Sequence, residues 1–290
     1  MSLSEFLQQE KLFDLASDGS PFQLKKEILR LGCIWFKDNP EQAELIKHNL
    51  HSFGFAANDQ LIRDIQHNII LHYYEKFLGL CLKPDEFGTY LSDRIEGGEQ
   101  IATLHHSINS GRAVFIASCH FGAVEFIVPY LSMQKLPVSA VLRFKTQRLS
   151  ATVRQRADQM AAGGNFEKIG FVEIGKPGSA AALEMAAVLR RKEILLSMFD
   201  EKTEYSKPVE FLGNKVYGGA GIDRILRFCG SETDLYFAFM TRTEQEKYSF
   251  TLLKADHHEP VKSLFSLLEK VAANNPQQWY FLHEEIPFVE

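Results

Sequence analysis

The sequence predicts an α/β protein, with a mostly parallel central sheet flanked by helices and a helical N-terminal region. Three observations carry this. Apolar residues recur at helical spacing through much of residues 1–110. An apolar run, Ala113-Val114-Phe115-Ile116-Ala117, is then bounded by Gly111 and a polar break at 120–122, as in a buried parallel strand. Thereafter short strand-like runs alternate with helix-length segments. Residues 1–110 read as a helical region packed on the core, and 111–290 as the α/β core, together one structural unit.

Pro21 opens a helix over 22–36, with Leu24, Ile28, Leu31 and Trp35 on one face. Asn39-Pro40-Glu41 starts a second, reaching Leu50, and Asn58 or Asp59 caps a third over 61–82. Its apolar stripe is Ile62, Ile65, Ile69, Tyr73 and Phe77. Gly97-Gly98 breaks the chain before a last helix over 99–109, which Gly111 stops. After the first core strand comes a turn with His120 and a helix with Glu125 near its start. Strands follow at 138–143, 169–174 and 194–199, and helices at 150–162 and 179–191. Residues 209–212 are extended before a Gly213-Asn214 turn. Gly218-Gly219-Ala220-Gly221 opens a helix to Phe228, then come strands at 235–240 and 248–253, a helix over 261–273 and a closing segment, 276–283. The late strands are expected to add antiparallel edges.

Hydrophobic residues make up 45% of the chain and charged residues 24%, as expected of a folded domain. The net charge of -5 argues against nucleic acid as a partner. Cys33, Cys81, Cys119 and Cys229 have no paired spacing and read as buried thiols of a reducing compartment. The N-terminus lacks the basic and apolar pattern of an export signal. The long apolar stretch at 113–133 carries His120, Gly122, Glu125 and Pro129, unsuited to lipid. A cytoplasmic protein, at most peripheral on a membrane, is the expectation.

His120 ends a strand, where open α/β sheets place ligands, and Glu125 follows five residues later. A neutral imidazole is a natural base near pH 7, and a carboxylate on its second nitrogen fixes the tautomer. The spacing fits such a dyad, or a core histidine followed by a glutamate favoured at a helix start. A basic run contains Arg143, Lys145 and Arg148 and continues to Arg154 and Arg156, with no acid over 141–156. It reads as a phosphate dock or as a solvated helix face. Gly221 opens a helix that could admit an acyl chain or phosphate, or simply pack tightly. Asp200 ends a strand, as a site residue or as a cap. His67 and His72, His105-His106 and His257-His258 lack metal-site spacing, and no GxSxG elbow occurs.

His120-Phe121-Gly122-x-x-Glu125, after Gly111-Arg112-Ala113-Val114-Phe115-Ile116, resembles the HX4(D/E) block of the bacterial lipid A biosynthesis acyltransferases. Those lauroyl and myristoyl transferases belong to the wider lysophospholipid and glycerol-phosphate acyltransferase superfamily. Arg143 and Asp200 after strands, 209–213 followed by Gly221, Arg242 before Tyr248-Ser249-Phe250, and the closing Pro276-Gln277-Gln278-Trp279 are similar to further blocks of that family in the same order. The chain departs from it at Ala123-Val124, at Glu284-Glu285, and in lacking an apolar anchor helix. The resemblance implies an O- or N-acyltransferase with His120 as base and Glu125 as its carboxylate. Gly122, Arg143, Lys145, Arg148, Asp200, Gly221 and Arg242 would be the substrate-binding residues, and backbone N–H groups near Gly122, or Arg143, the oxyanion donors. It also implies a phosphopantetheine thioester on acyl carrier protein or coenzyme A as donor, with no metal or redox cofactor. The acceptor hydroxyl or amine would belong to a membrane glycolipid or lysophospholipid, or to a specialised-metabolite or carrier-bound intermediate. Hydrolysis of acyl thioesters and non-catalytic binding of acyl carrier or lipid are the alternatives.

Overall fold

A computed structural model describes residues 2–9, 12, 20–144, 146–175, 180–203, 205–219, 221–230 and 232–286, leaving out the side chains of Gln8, Gln9, Arg148 and Gln245. The N-terminal part carries α1 (Leu3–Gln9), α2 (Pro21–Asp38), α3 (Glu41–Ser52), α4 (Asp59–Cys81) and α5 (Pro84–Arg94). A two-residue strand, β1 (Ile95–Glu96), and α6 (Gly98–Asn109) follow. Ser20 and Gln23 exchange side chain and backbone bonds across the first turn of α2, a complete capping box. Asn58 accepts from the Leu61 N–H and starts α4, as its residue type predicts.

The core begins with β2 (Ala113–Ser118), a 3₁₀ turn at Val124–Phe126 and α7 (Ile127–Met133), then β3 (Val138–Leu142), α8 (Gln147–Ala162), β4 (Ile169–Glu173), α9 (Ala181–Arg190) and β5 (Ile194–Met198). A hairpin, β6 (Ser206–Phe211) and β7 (Asn214–Gly219), leads to α10 (Gly221–Cys229), β8 (Thr233–Arg242), β9 (Tyr248–Lys254) and α11 (Pro260–Asn274). Two 3₁₀ turns, Pro276–Gln278 and Tyr280–His283, finish the described chain. The hairpin turn uses Leu212 and Gly213, both at positive φ, one residue earlier than expected.

The main sheet runs β1-β9-β8-β2-β5-β3-β4, and every pair is parallel except β8 with β9. The α/β architecture is therefore the predicted one. The antiparallel pair is internal, however, because β1 of the N-terminal region covers β9 and forms the edge. All residues of β2 are buried, which explains why its sequence is apolar from Ala113 to Ala117 rather than alternating. The chain leaves β2 for β3 on one side, returns to β5 next to β2, and then crosses to β8 on the other side. The carboxyl ends of β2 and β5 thus flank the point where the strand order reverses, the place where such sheets leave a crevice.

Buried apolar residues from Leu3 to Leu282 form one continuous cluster, so the N-terminal helices share a core with the sheet. Of the four cysteines only Cys119 is buried; Cys33 is exposed and the other two are partly so, which corrects the expectation of four buried thiols. Among the described residues no helix is long and apolar enough to cross a membrane.

Candidate active site

Residue pairing carries the site. Ser118 of β2 lies opposite Met198 of β5, so His120 and Asp200, each two residues beyond, leave the sheet side by side. The Asp200 carboxylate spans both backbone and ring. Oδ2 accepts the His120 N–H at 2.8 Å, and Oδ1 lies 3.0 Å from Nδ1. Asp200 is almost wholly buried (2% of its side chain exposed), whereas the His120 ring keeps 18% exposure, so the pair is fixed below and reachable above. A carboxylate can only accept here, which puts a proton on Nδ1 and directs Nε2 outward as the basic nitrogen.

This geometry corrects the predicted dyad. Glu125 lies in the 3₁₀ turn rather than in a helix, and its Oε1 is 3.5 Å from Nε2 of His72 on α4. Its charge acts on His120 without a direct bond. The second carboxylate near the ring is that of Glu201, 3.4 Å from Nε2 and half exposed. Phe281 and Tyr280 of the closing turn face the ring, with centroids at 4.8 and 6.1 Å.

Burial pulls the His120 pKa down, but the Asp200 charge and hydrogen bond, with Glu201 and Glu125, outweigh it and hold the value above the ordinary 6.5. His72 shows the opposite balance. Its burial, together with the positive charge of Arg242, holds its pKa well below 6.5. A His120 that serves as a base must first lose its proton, so the expected result is an activity that rises with pH through an inflection above 6.5. Asp200→Asn should move that inflection down, because burial then acts with less opposition. A pH–rate profile unchanged by the substitution would remove His120 as the titrating base.

Gly122 has a structural reason to be glycine. It sits at φ +59°, donates its N–H to Gln278 O at 2.8 Å, and a Cβ there would collide with the Met240 carbonyl. The Phe121 and Ala123 N–H groups are likewise bound, to Cys119 O and Met240 O, so these backbone donors are not free for an oxyanion. Gly122→Ala is expected to destabilise the fold by about 3 kcal/mol in urea unfolding, from the strained φ and the collision together. A midpoint shift under a third of that would show that the turn relaxes.

Arg242 is also a correction. Its guanidinium bonds both Glu75 oxygens at 2.7 Å and Asn68 at 3.1 Å, so its donors are taken up in a buried pair between β8 and α4. Arg143 and Gly221 instead line a cavity of about 1360 Å³ bounded by the ends of β3, β4 and β5 and by α9 and α10. Apolar walls from Phe115, Phe144, Met185 and Ile225 meet the cations Arg143, Lys202 and Arg224 there. The lining carboxylate, Glu173, has Arg154 at 3.7 Å. His120 is not in the lining, but Met198, Lys202 and Thr203 are, and they bracket the Asp200 and Glu201 that contact the ring. Lys145 and the side chain of Arg148 lie outside the described residues. Among the described residues no cluster of His, Cys, Asp or Glu could hold a metal ion.

Sequence reading missed Glu201 and weighed His72 only as a metal ligand. Glu201 adjoins the flagged Asp200, a usable signal; His72 is brought in only by packing of α4. No protein-family model matches the chain, and no curated protein does either.

Proposed function

We propose that the protein transfers an acyl group from a phosphopantetheine thioester, on acyl carrier protein or coenzyme A, to a hydroxyl or amine. The observation that carries this reading is the His120–Asp200 pair at the strand-order reversal, adjoining a large cavity that is apolar on some walls and cationic on others. His120 Nε2 takes the proton of the attacking acceptor while Asp200 stabilises the imidazolium, and the proton then passes to the departing thiolate. A positioned base of this kind is worth about 10²–10⁴ in rate. The apolar walls suit an acyl chain, and Arg143, Lys202 and Arg224 suit the donor's phosphate. Of the two oxyanion sources expected, Arg143 is the one whose groups are not spent on the His120 turn. The resemblance of the His120 block and the later blocks to the lipid A biosynthesis acyltransferases supports the same chemistry.

The test is thiol release from acyl-coenzyme A and acyl-carrier thioesters of several chain lengths, with intact-mass analysis of the products in pooled cell extract. Thiol release with a new acylated product is the expected result. Release with free fatty acid alone would make the protein a hydrolase, and no release from any donor would leave a binding module.

A further inference from the structure

We propose that the group received at His120 Nε2 is a primary amine, bound as its ammonium against Glu201 and the rings of Tyr280 and Phe281. This rests on the acyl-transfer reading and narrows its acceptor. Asp200 occupies Nδ1, so the acceptor must approach Nε2, and the side chain already there is the half-exposed Glu201 carboxylate at 3.4 Å. Both aromatic rings beside His120 are only partly buried, and a carboxylate with aromatic faces is the chemistry that recognises an ammonium. Glu125 adds a further negative charge that reaches the same ring. An acceptor carrying phosphate or carboxylate would be repelled by both glutamates, and a neutral alcohol would leave Glu201 without a cation once His120 gives up its proton. The neighbouring cavity is lined by cations, so the two sides of the site differ in sign, one for the donor's phosphate and one for the acceptor.

The chemistry balances. On binding, the ammonium replaces the imidazolium as partner of Glu201, and His120 releases its proton to solvent. The ammonium then gives one proton to solvent, and its freed electron pair forms the N–C bond to the thioester carbonyl as the C=O π pair moves to oxygen, from which it returns when the thiol leaves. His120 Nε2 removes a second proton from that nitrogen. The C–S bond breaks with its electron pair on sulfur, which takes the proton from His120, leaving an amide and a thiol.

Octylamine and 1-octanol are matched probes that differ at the head group. Calorimetry on the full chain should show octylammonium binding at least about tenfold more tightly than octanol. Glu201→Gln should abolish most of that preference and Glu201→Asp should retain it. Equal binding of the two probes, binding of neither, or a preference unchanged in Glu201→Gln would overturn the proposal. In the acyl-transfer assay the amine should give the N-octyl amide; an ester from octanol with no amide overturns the amine while leaving acyl transfer intact. Failure of the underlying reading looks different, since no acyl thioester would then be consumed with any acceptor, and the acceptor role would fall with it.

Discussion

His120→Ala is expected to lower thioester turnover by about 10²–10⁴ in a chain that still folds, with a lower unfolding midpoint because the buried Asp200 loses its ring partner. The ring is partly exposed and covers no large part of the core, and the backbone N–H of residue 120 still reaches Asp200. Asp200→Asn should lose at least about 10² in kcat, because an amide at Nδ1 no longer favours the imidazolium. Glu125→Gln should change kcat by less than about tenfold, since its carboxylate is one-third exposed and contacts His72 instead of His120. Its effect belongs in the acceptor KM. The reverse ranking, with Glu125 the more sensitive, would mean that the catalytic carboxylate is the one the local spacing suggested. Near-normal turnover by His120→Ala would remove the base altogether.

Arg242→Met is expected to destabilise the fold by about 3–5 kcal/mol, because it leaves the Glu75 carboxylate buried without its partner. Glu75 is 1% exposed, and burial pushes its pKa up even with Arg242 beside it. Removal of the guanidinium therefore forces a proton onto Glu75 or opens the contact between α4 and β8. The double variant Arg242→Met with Glu75→Gln should recover much of the loss, because no bare charge remains. Urea unfolding of both variants checks this. Equal destabilisation by the single and double variants would show that packing of the arginine stem matters more than the charge. A raised donor KM at unchanged stability would return Arg242 to the substrate site.

How much of this was legible in the sequence differs by element. The apolar run of β2 announced a central strand, and Pro21, Asn58 and Gly111 marked helix ends through local chemistry. β1 was not legible, since two residues carry no periodicity and its pairing with β9 joins positions over 150 apart. The same limit governs the site. His120 could be found from its place after β2, but spacing nominates near neighbours, so Glu125 was chosen. Asp200 comes from 80 residues away because β5 inserts beside β2, and only the sheet order reveals that. Arg242 had the position of a site residue at a strand end, yet Glu75, from a helix far upstream, neutralises it.

The turn that carries His120 is fastened by residues near the far end of the chain. Gly122 bonds Gln278, the His120 carbonyl accepts from Tyr280, and Phe121 bridges to Trp279. During synthesis, then, the turn stays unfastened until some 160 residues after its own translation, and a product stopping short of Pro276 would have the histidine and Asp200 but not the segment that holds their turn.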